Sequence, residues 1–288
     1  MAIEVTAQVL NRFYDNYKNT EITFSKEIIR ALRMDPRQIY VRCGGLQWPC
    51  IASSTSFTSA KIIIGTKSGA YGELSKKEAP LVSLRFSFYQ PDGQLFGFFI
   101  SARVQSCQPY MGSSDLVIVE LLFTQRPPDD LIQMVGNLLD ANVNAVKRKE
   151  ERIPINQETM RKLGLAKKEI LASIQNVPRN CILQNLSFNG AKLVLMGLAQ
   201  FVLKKEVQLQ LEFDDPHEIL TLAGVVVGTG MIEGRQDIII ANIMFAEASI
   251  SMEYKVRINK YITSIRKNEL DTKFAGDTPE TLSSTESE

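Results

Sequence analysis

The chain has almost no histidine, and this shortage excludes several kinds of catalytic site. His217 is the only histidine in 288 residues. Metal sites built from several histidines are therefore excluded, and a Ser–His or Cys–His catalytic pair would have to use this one residue. His217 lies in the segment DDPHE between two strand-like stretches, which favours a solvated turn over a carboxylate cation site.

Closely spaced cysteines, a secretory signal and long apolar runs are also missing. The four cysteines share no CxxC spacing, and the first residues lack the apolar region and cleavage site of a signal peptide. The apolar runs 193–203 and 220–232 are shorter than the roughly 18 to 20 residues that span a bilayer. We therefore expect a cytoplasmic protein with buried, reduced thiols and no membrane insertion.

An excess of charge of either sign is absent as well. Lys and Arg number 33 against 32 Asp and Glu, which leaves a net charge of +1. A chain with this balance has no broad electrostatic attraction to nucleic acid or to an anionic membrane. We expect no nucleic acid polymer as a partner, and any anionic ligand must be held by a local cluster of cations.

The first half has the pattern of a small antiparallel domain. Leu10, Phe13, Tyr14 and Tyr17 recur at helical spacing, and Ser25 is placed to cap a second short helix that ends near Asp35. Six short segments rich in Ile, Val, Phe and Thr follow between residues 38 and 124. Their Gly, Pro, Ser and Asp turns are typical of a barrel or sandwich.

A helix and a second set of strands follow. Pro128 and the two acids after it indicate the start of a helix, and the segment Glu206–Phe213 alternates apolar with polar residues as a half-buried strand does. We predict a mainly β (α+β) fold of two antiparallel β-barrel domains in tandem, joined by a helix and a flexible linker, with a C-terminal helix. The expected boundaries are 1–141, a linker at 142–152, 153–268, and a disordered acidic tail at 269–288.

Two short motifs are candidates for ligand binding. Arg148 and Arg152 form Arg-x-x-x-Arg, and Asn185, Ser187 and Gly190 form Asn-x-Ser-x-x-Gly. Arginines four apart project to the same side and fork onto phosphates or onto guanine O6 and N7. On a strand, Asn185 and Ser187 would share a face and offer amide and hydroxyl groups, while Gly190 permits a close backbone approach. Together the motifs predict a guanine-and-phosphate ligand.

Neither motif is specific alone. Arg33 and Arg37 repeat the Arg-x-x-x-Arg spacing where we expect a solvated helix end. Taken singly, Arg148 and Arg152 are also compatible with a charged linker that pairs with nearby acids.

In this order the two motifs resemble the PilZ family of cyclic di-GMP receptors. The likeness is in RKEERIPI at 148–155 and ILQNLSFNGAKLVL at 182–195, and it covers roughly 147–266. The first half is similar to the PilZN-type (YcgR-like) domains that precede some PilZ domains, above all in TQRPPDDLIQMVGNLLDANVNAVKRKEER.

The resemblance implies a receptor that binds cyclic di-GMP and performs no chemistry on it. Arg148 and Arg152 would hold guanine edges and phosphates, with Lys147 as an extra phosphate contact. Asn185, Ser187 and Gly190 would line the barrel face.

The chain departs from the family pattern in two places. Asn185 stands where members often have Asp, which puts base recognition in doubt. The insert Asn156–Glu169 lengthens the spacing between the motifs, and as a short helix it would either cover the pocket or only decorate it.

We therefore expect a receptor without cofactor or metal, which changes its interdomain angle on binding and so exposes or hides a surface for an unidentified protein partner. Motility or a related behaviour is implied as its output by the resemblance alone. One alternative is a degenerate PilZ-like adaptor that acts through protein contacts without binding nucleotide. Others are a barrel for single-stranded nucleic acid and, as the weakest, an enzyme.

Overall fold

The computed structural model describes residues 6–76, 81–214 and 217–275, which form two antiparallel sheets and six helices. The helices are α1 (Ala7–Tyr17), α2 (Lys26–Leu32), α3 (Gly69–Leu74), α4 (Asp129–Lys147), α5 (Gln157–Leu163) and α6 (Met252–Ala275). The first sheet contains β1 (Ile22–Thr23), β2 (Tyr40–Cys43), β3 (Leu46–Pro49), β4 (Ile51–Thr55), β5 (Ser59–Gly65), β6 (Leu81–Tyr89), β7 (Leu95–Pro109) and β8 (Leu116–Phe123). The second contains β9 (Ile153–Pro154), β10 (Glu169–Ile174), β11 (Val177–Ser187), β12 (Gly190–Met196), β13 (Glu206–Asp214), β14 (His217–Ile232) and β15 (Arg235–Phe245).

The first sheet is open along one side. Its strand order is β1-β4-β5-β8-β7-β6-β2-β3, so that β1 and β3 are its edges in the described residues. Helices α1 and α4 pack together on its core, where Phe13 and Val135 are buried. A Cβ at Gly136 would lie 2.5 Å from the Phe13 ring, so glycine is needed for the two helices to approach this closely.

The second sheet closes into a barrel. Strand β10 pairs with both β11 and β13, which joins the ends of the order β10-β13-β14-β15-β12-β11, and the short β9 adds to the end of β11. Strand β13 has the predicted alternation, because Val207, Leu209, Leu211 and Phe213 are all buried in the barrel core. The closing helix α6 buries Tyr254, Ile258 and Ile262 against the same core, and these residues recur at helical spacing.

Helices α4 and α6 hold the two domains together through a polar network. Asp140 on α4 accepts hydrogen bonds from Asn144 and from Asn259 of α6, both at 2.9 Å, and from the Tyr17 hydroxyl at 3.3 Å. Asn144 also donates to Asn259 Oδ1 at 2.7 Å. Asn144 and Asn259 are buried, so these bonds satisfy polar groups that water does not reach.

The structure confirms a mainly β chain of two tandem domains with a C-terminal helix, and it differs from the predictions in three details. Within the described residues, hydrogen bonding closes only the second sheet, so the first domain is an open sheet where we predicted a barrel. Helix α4 continues to Lys147, so that 142–147 is helical and not part of a flexible linker.

Helix α6 continues to Ala275, although we predicted disorder from residue 269. The stretch 269–275 includes Leu270, Phe274 and Ala275 and contains no Gly or Pro, and the first helix breaker is Gly276. The remainder of the predicted disordered tail, 276–288, lies outside the described residues.

Burial accounts for the state of the four thiols. All four cysteines are free; Cys43 and Cys50 are buried as predicted, and Cys181 is buried as well. Burial raises the pKa of Cys50 to about 12 and that of Cys181 to about 11. Because the thiolate is the reactive form, these groups are poorly reactive near neutral pH.

Thiol labelling tests this arrangement. In the folded protein at pH 8 we expect a maleimide to label the half-buried Cys107 first, and Cys50 and Cys181 only after urea is added. Peptide mapping by mass spectrometry identifies the labelled sites. Fast labelling of Cys181 in the folded protein would contradict the barrel packing.

The part of the chain that the structure describes contains neither a membrane helix nor a metal cluster. None of the helices in residues 6–76, 81–214 and 217–275 is long and apolar enough to cross a bilayer. The same residues contain no group of three or more His, Cys, Asp or Glu side chains that could hold a metal ion. His217 is exposed at the start of β14, directly across the ladder from Asp214.

Candidate functional site

The Asn-x-Ser-x-x-Gly motif forms the tight connection between β11 and β12. Ser187 ends β11 and pairs across the hairpin with Gly190, the first residue of β12. The buried Ser187 hydroxyl lies 3.0 Å from Asn189 Oδ1 and 3.2 Å from the Gly190 carbonyl oxygen. Ser187 therefore bonds within the turn, and its hydroxyl is directed to protein acceptors.

At Gly190, strand β12 lies close to both β15 and the Arg152 side chain. A Cβ at this position would lie 2.3 Å from the Ile243 carbonyl oxygen on the neighbouring β15, and 3.6 Å from Arg152 Nη1. The first distance is shorter than any real side chain allows, so β12 and β15 require glycine here. The second distance places the Arg152 guanidinium beside the first residue of β12.

The short strand β9 fixes the backbone next to Arg152. Ile153 pairs with Leu186 and Pro154 with Asn185, which attaches the chain after Arg152 to the end of β11. Ile153 is buried in the barrel core, whereas Arg152 is exposed. A buried neighbour therefore anchors an arginine whose own charge remains in solvent.

A groove of about 470 Å³ lies beside these residues, within the usual range of ligand pockets. Its lining includes three cations, Arg152, Lys168 and Lys192, which we call the groove cations. No Asp or Glu is among the lining residues, the others being Pro154, Ile155, Ile182, Leu183, Gln184 and Asn185. The groove is therefore suited to an anion, although the chain as a whole is nearly neutral.

Asn185 brings an unused acceptor to the groove. A bulge between Leu183 and Asn185 shifts the β11–β12 register, after which Asn185 pairs with Lys192. Asn185 Oδ1 is buried, and it has no hydrogen-bond partner in the described structure. A buried unpaired acceptor costs free energy, about 1–3 kcal/mol, and the ring and exocyclic N–H groups of a guanine edge are the kind of donors that would satisfy it.

Arg148 and Lys147 do not reach the groove. Arg148 follows the last residue of α4, its backbone N–H donates to the Asn144 carbonyl oxygen, and its side chain does not line the groove. Its Nη1 is buried without a partner in the described residues. Lys147 is exposed in the last turn of α4. Of the two predicted arginines, the structure brings only Arg152 to the motif on β11 and β12.

The insert at 156–169 forms the predicted short helix but does not cover the groove. Helix α5 begins with a capping box in which Asn156 and Thr159 exchange side-chain and backbone hydrogen bonds, and it packs against α6. Only Lys168, beyond the end of the helix, lines the groove.

The sequence prediction missed two groove cations. Lys192 could have been found, because a two-residue turn at 188–189 pairs Ser187 with Gly190 and therefore Asn185 with residue 192. Lys168 has no such signal, since its position depends on how the insert returns to β10. Arg33 and Arg37, which form the other Arg-x-x-x-Arg motif, lie at the end of α2 and just beyond it. Neither lines the groove.

Both halves of the chain match known domain families. The PilZN3 domain matches residues 8–142, and the PilZ domain matches residues 147–264. A protein of Treponema denticola described as a cyclic di-GMP binding protein is 43% identical over 263 residues, which is 91% of this chain and 83% of that protein.

Two solved structures show more distant likeness. The PlzA protein of Borreliella burgdorferi in complex with c-di-GMP is 22% identical with a TM-score of 0.40, covering 88% of this chain and 98% of PlzA. YcgR of Escherichia coli in complex with c-di-GMP is 13% identical with a TM-score of 0.29, covering 93% of both chains. Because both TM-scores are below 0.5, neither likeness supports a conclusion about this chain. The two domain matches and the Treponema relative do support one: the chain belongs to the PilZ domain family and carries a PilZN3 domain ahead of its PilZ domain.

Proposed function

We propose that this protein is a receptor that binds cyclic di-GMP in the groove and leaves it chemically unchanged. The observation that carries the proposal is the convergence of three cations and an unpaired acceptor on a groove whose lining includes no acid. A cyclic guanine dinucleotide offers the matching groups, namely two anionic phosphates and guanine edges. The description of the Treponema denticola relative as a cyclic di-GMP binding protein supports the same ligand.

Each groove residue has a role that follows from its chemistry. The Arg152 guanidinium forks onto guanine O6 and N7 or onto a phosphate. Lys168 and Lys192 act as point charges for the phosphates, and Asn185 accepts from a guanine edge. Gly190 has no side chain and so leaves room for the Arg152 guanidinium beside β12, and the Ser187 hydroxyl stabilises the β11–β12 turn through its hydrogen bonds.

In the mechanism that we propose, the Arg148 side chain moves into the groove when the ligand binds. Among the described residues its buried Nη1 has no partner, and an unpaired buried donor on a charged group is costly. A doubly anionic ligand in the neighbouring groove gives this side chain a partner, so that the bound state favours a conformer in which Arg148 contacts the ligand. Because Arg148 directly follows α4, its movement alters the end of the helix that links the domains.

The consequence that we propose is a change in interdomain orientation that exposes or hides a surface for a protein partner. The turn at 148–152 is held by the Glu151–Arg266 ion pair at 2.9 Å and by the hydrogen bond from the Glu151 N–H to the Arg148 carbonyl oxygen. The segment is thus more ordered than the loose linker predicted from the sequence, and the movement is small. A cytoplasmic protein that regulates motility or a related behaviour remains part of this proposal.

Calorimetric titration tests the proposed ligand. Cyclic di-GMP, GTP and a short single-stranded oligonucleotide are titrated separately into the full chain at one fixed salt concentration, because the binding of anions depends on salt. We expect binding of cyclic di-GMP with a defined stoichiometry, weaker binding of GTP, and no heat from the oligonucleotide. Equal affinity for the oligonucleotide and cyclic di-GMP would reject the receptor hypothesis in favour of a barrel that binds single-stranded nucleic acid.

A second candidate is the adaptor that does not bind nucleotide. It is favoured by the internal hydrogen bonding of Ser187 and by the position of Arg148 outside the groove. If calorimetric titration with a large excess of cyclic di-GMP gave no heat of binding, the result would support the adaptor and reject the receptor.

Lys192 provides a test of the groove itself. We expect Lys192→Ala to weaken binding of cyclic di-GMP about threefold to tenfold, and to flatten the dependence of affinity on salt, because one phosphate contact is lost. Lys26→Ala, a change at an exposed lysine on α2, is the matched control and should leave the titration unchanged. An unchanged salt dependence in Lys192→Ala would place the phosphates elsewhere.

A further inference from the structure

The first turn of α6 belongs to both domains. The Met252 side chain is buried in the hydrophobic core of the first domain, and the Tyr254 side chain is fully buried in the core of the barrel. Residues two apart on a helix point in different directions, so a single helical turn reaches both cores. A shift of this turn therefore displaces side chains in both domains at once.

Tyr254 connects this turn to the Asn-x-Ser-x-x-Gly motif. Its hydroxyl donates to the Ser187 carbonyl oxygen at 2.7 Å, and its ring packs edge-on against Phe245 with 5.9 Å between ring centroids. Burial raises the pKa of the Tyr254 phenol far above its ordinary value, with Arg152 opposing. The phenol is therefore a neutral donor at physiological pH, and it holds one end of the β11–β12 turn in place.

Helix α2 of the first domain grips the same turn. Glu27 Oε1 accepts a hydrogen bond from the Met252 backbone N–H at 2.6 Å, and Arg30 forms an ion pair with Glu253. The first N–H groups of a helix have no partner within it and favour a carboxylate, which Glu27 supplies from the other domain. Although burial alone would raise it, the hydrogen bonds from Arg30 and the Glu253 backbone N–H lower the pKa of the Glu253 carboxyl, so the pair is ionised near neutral pH.

We propose that Glu27 and Arg30, both in the first domain, are positioning residues for the nucleotide site in the second. The contacts run from α2 through Met252 and Glu253 to Tyr254, and from the Tyr254 hydroxyl to the Ser187 carbonyl oxygen. Three consecutive residues on one helical turn move as a unit. Loss of the contacts that Glu27 and Arg30 make with α6 should therefore increase the mobility of the turn at 187–190. This inference rests on the proposed function, because the site that it positions is the cyclic di-GMP groove.

The coupling works in both directions. If the grip of α2 on α6 raises the affinity for the ligand, bound ligand must strengthen that grip by the same factor. The first domain thereby senses occupation of the groove through α2 as well as through the end of α4.

Two variants and one control test the proposal. Glu27→Gln/Arg30→Gln removes the charges of two exposed side chains, and Tyr254→Phe removes only the hydroxyl. The control, Arg33→Gln/Arg37→Gln, changes two cations at the end of the same helix and just beyond it. Each protein is measured by hydrogen exchange of the peptide covering 186–192 without ligand, by calorimetric titration with cyclic di-GMP, and by thermal unfolding.

We expect faster exchange at 186–192 in both variants, and affinity lowered about fivefold or more, measured below the unfolding transition. The unfolding midpoint of the α2 variant should fall as well, because the largely buried Glu253 carboxylate loses its cation. Arg30→Lys, which keeps a cation, should restore most of the affinity relative to Arg30→Gln. Unchanged exchange at 186–192 in the α2 variant would overturn the proposal. Exchange is read without ligand, so a wild-type protein that fails to bind cyclic di-GMP would reject the proposed function and still leave the coupling measurable.

Discussion

Arg152→Ala should lower the affinity for cyclic di-GMP by at least about tenfold, the equivalent of roughly 1.5–3 kcal/mol for lost charge-assisted hydrogen bonds. The Arg152 guanidinium lies beside Gly190 at the groove, and the pairing of β9 with β11 fixes the backbone next to it. The fold should be unaffected because Arg152 is exposed. Calorimetric titration at fixed salt gives the affinity, and thermal unfolding checks the fold.

Arg148→Ala tests the movement that we propose for its neighbour. We expect a loss of affinity of similar size, because the bound state uses the Arg148 side chain although the free structure keeps it out of the groove. Arg33→Ala and Arg37→Ala are the control pair and should bind as the wild type does. A loss in Arg152→Ala alone would show that Arg148 stays outside the groove, and equal behaviour of all four variants would reject the site.

Gly190→Ala should damage both folding and binding. The new Cβ would lie 2.3 Å from the Ile243 carbonyl oxygen, and neither β12 nor β15 can retreat without breaking ladder bonds. Overpacking of this kind costs about 1–3 kcal/mol, and the displaced β12 also moves the floor beneath Arg152. We expect a lower unfolding midpoint together with weaker binding of cyclic di-GMP, measured by calorimetry below the transition.

Gly230→Ala is the matched control within the same barrel. A Cβ at Gly230 meets Ile240 Cβ at 3.8 Å, an ordinary contact, so this variant should fold and bind normally. If Gly190→Ala proved as stable as Gly230→Ala, the close approach of β12 and β15 would be wrong.

Local pattern was sufficient for most of the fold. The strand at 206–213 was predictable because alternate apolar residues must face one core, and the helix from Asp129 because proline and two acids mark its start. Local pattern did not decide which sheet closes: we predicted two barrels, and the second is confirmed, through pairings such as β10 with β13 that are distant in sequence. Helix α3 and the two-residue β1 were missed because six and two residues carry little periodicity.

The sequence predicted which motifs form the site, but it did not predict how their side chains are arranged in space. Residue types and spacing indicated Arg152, Asn185 and Gly190, which the structure does bring together at the groove. The position of Arg148 was not foreseen, because spacing alone does not show that α4 continues to Lys147 and turns the next side chain away. The role of Tyr254 was not foreseen either, because the hydrogen bond of its hydroxyl depends on how α6 crosses the barrel.

The burial of Met252 in the first domain's core has a consequence during synthesis on the ribosome. Proteins are translated at about 5–20 residues per second, so the roughly 100 residues between the end of α4 and Met252 take about 5–20 s to appear. Throughout that interval the nascent first domain lacks one of its core side chains and keeps an unfilled apolar surface, to which chaperones can bind. The domain made first is therefore completed no earlier than the second, because both cores wait for α6 to leave the exit tunnel and dock.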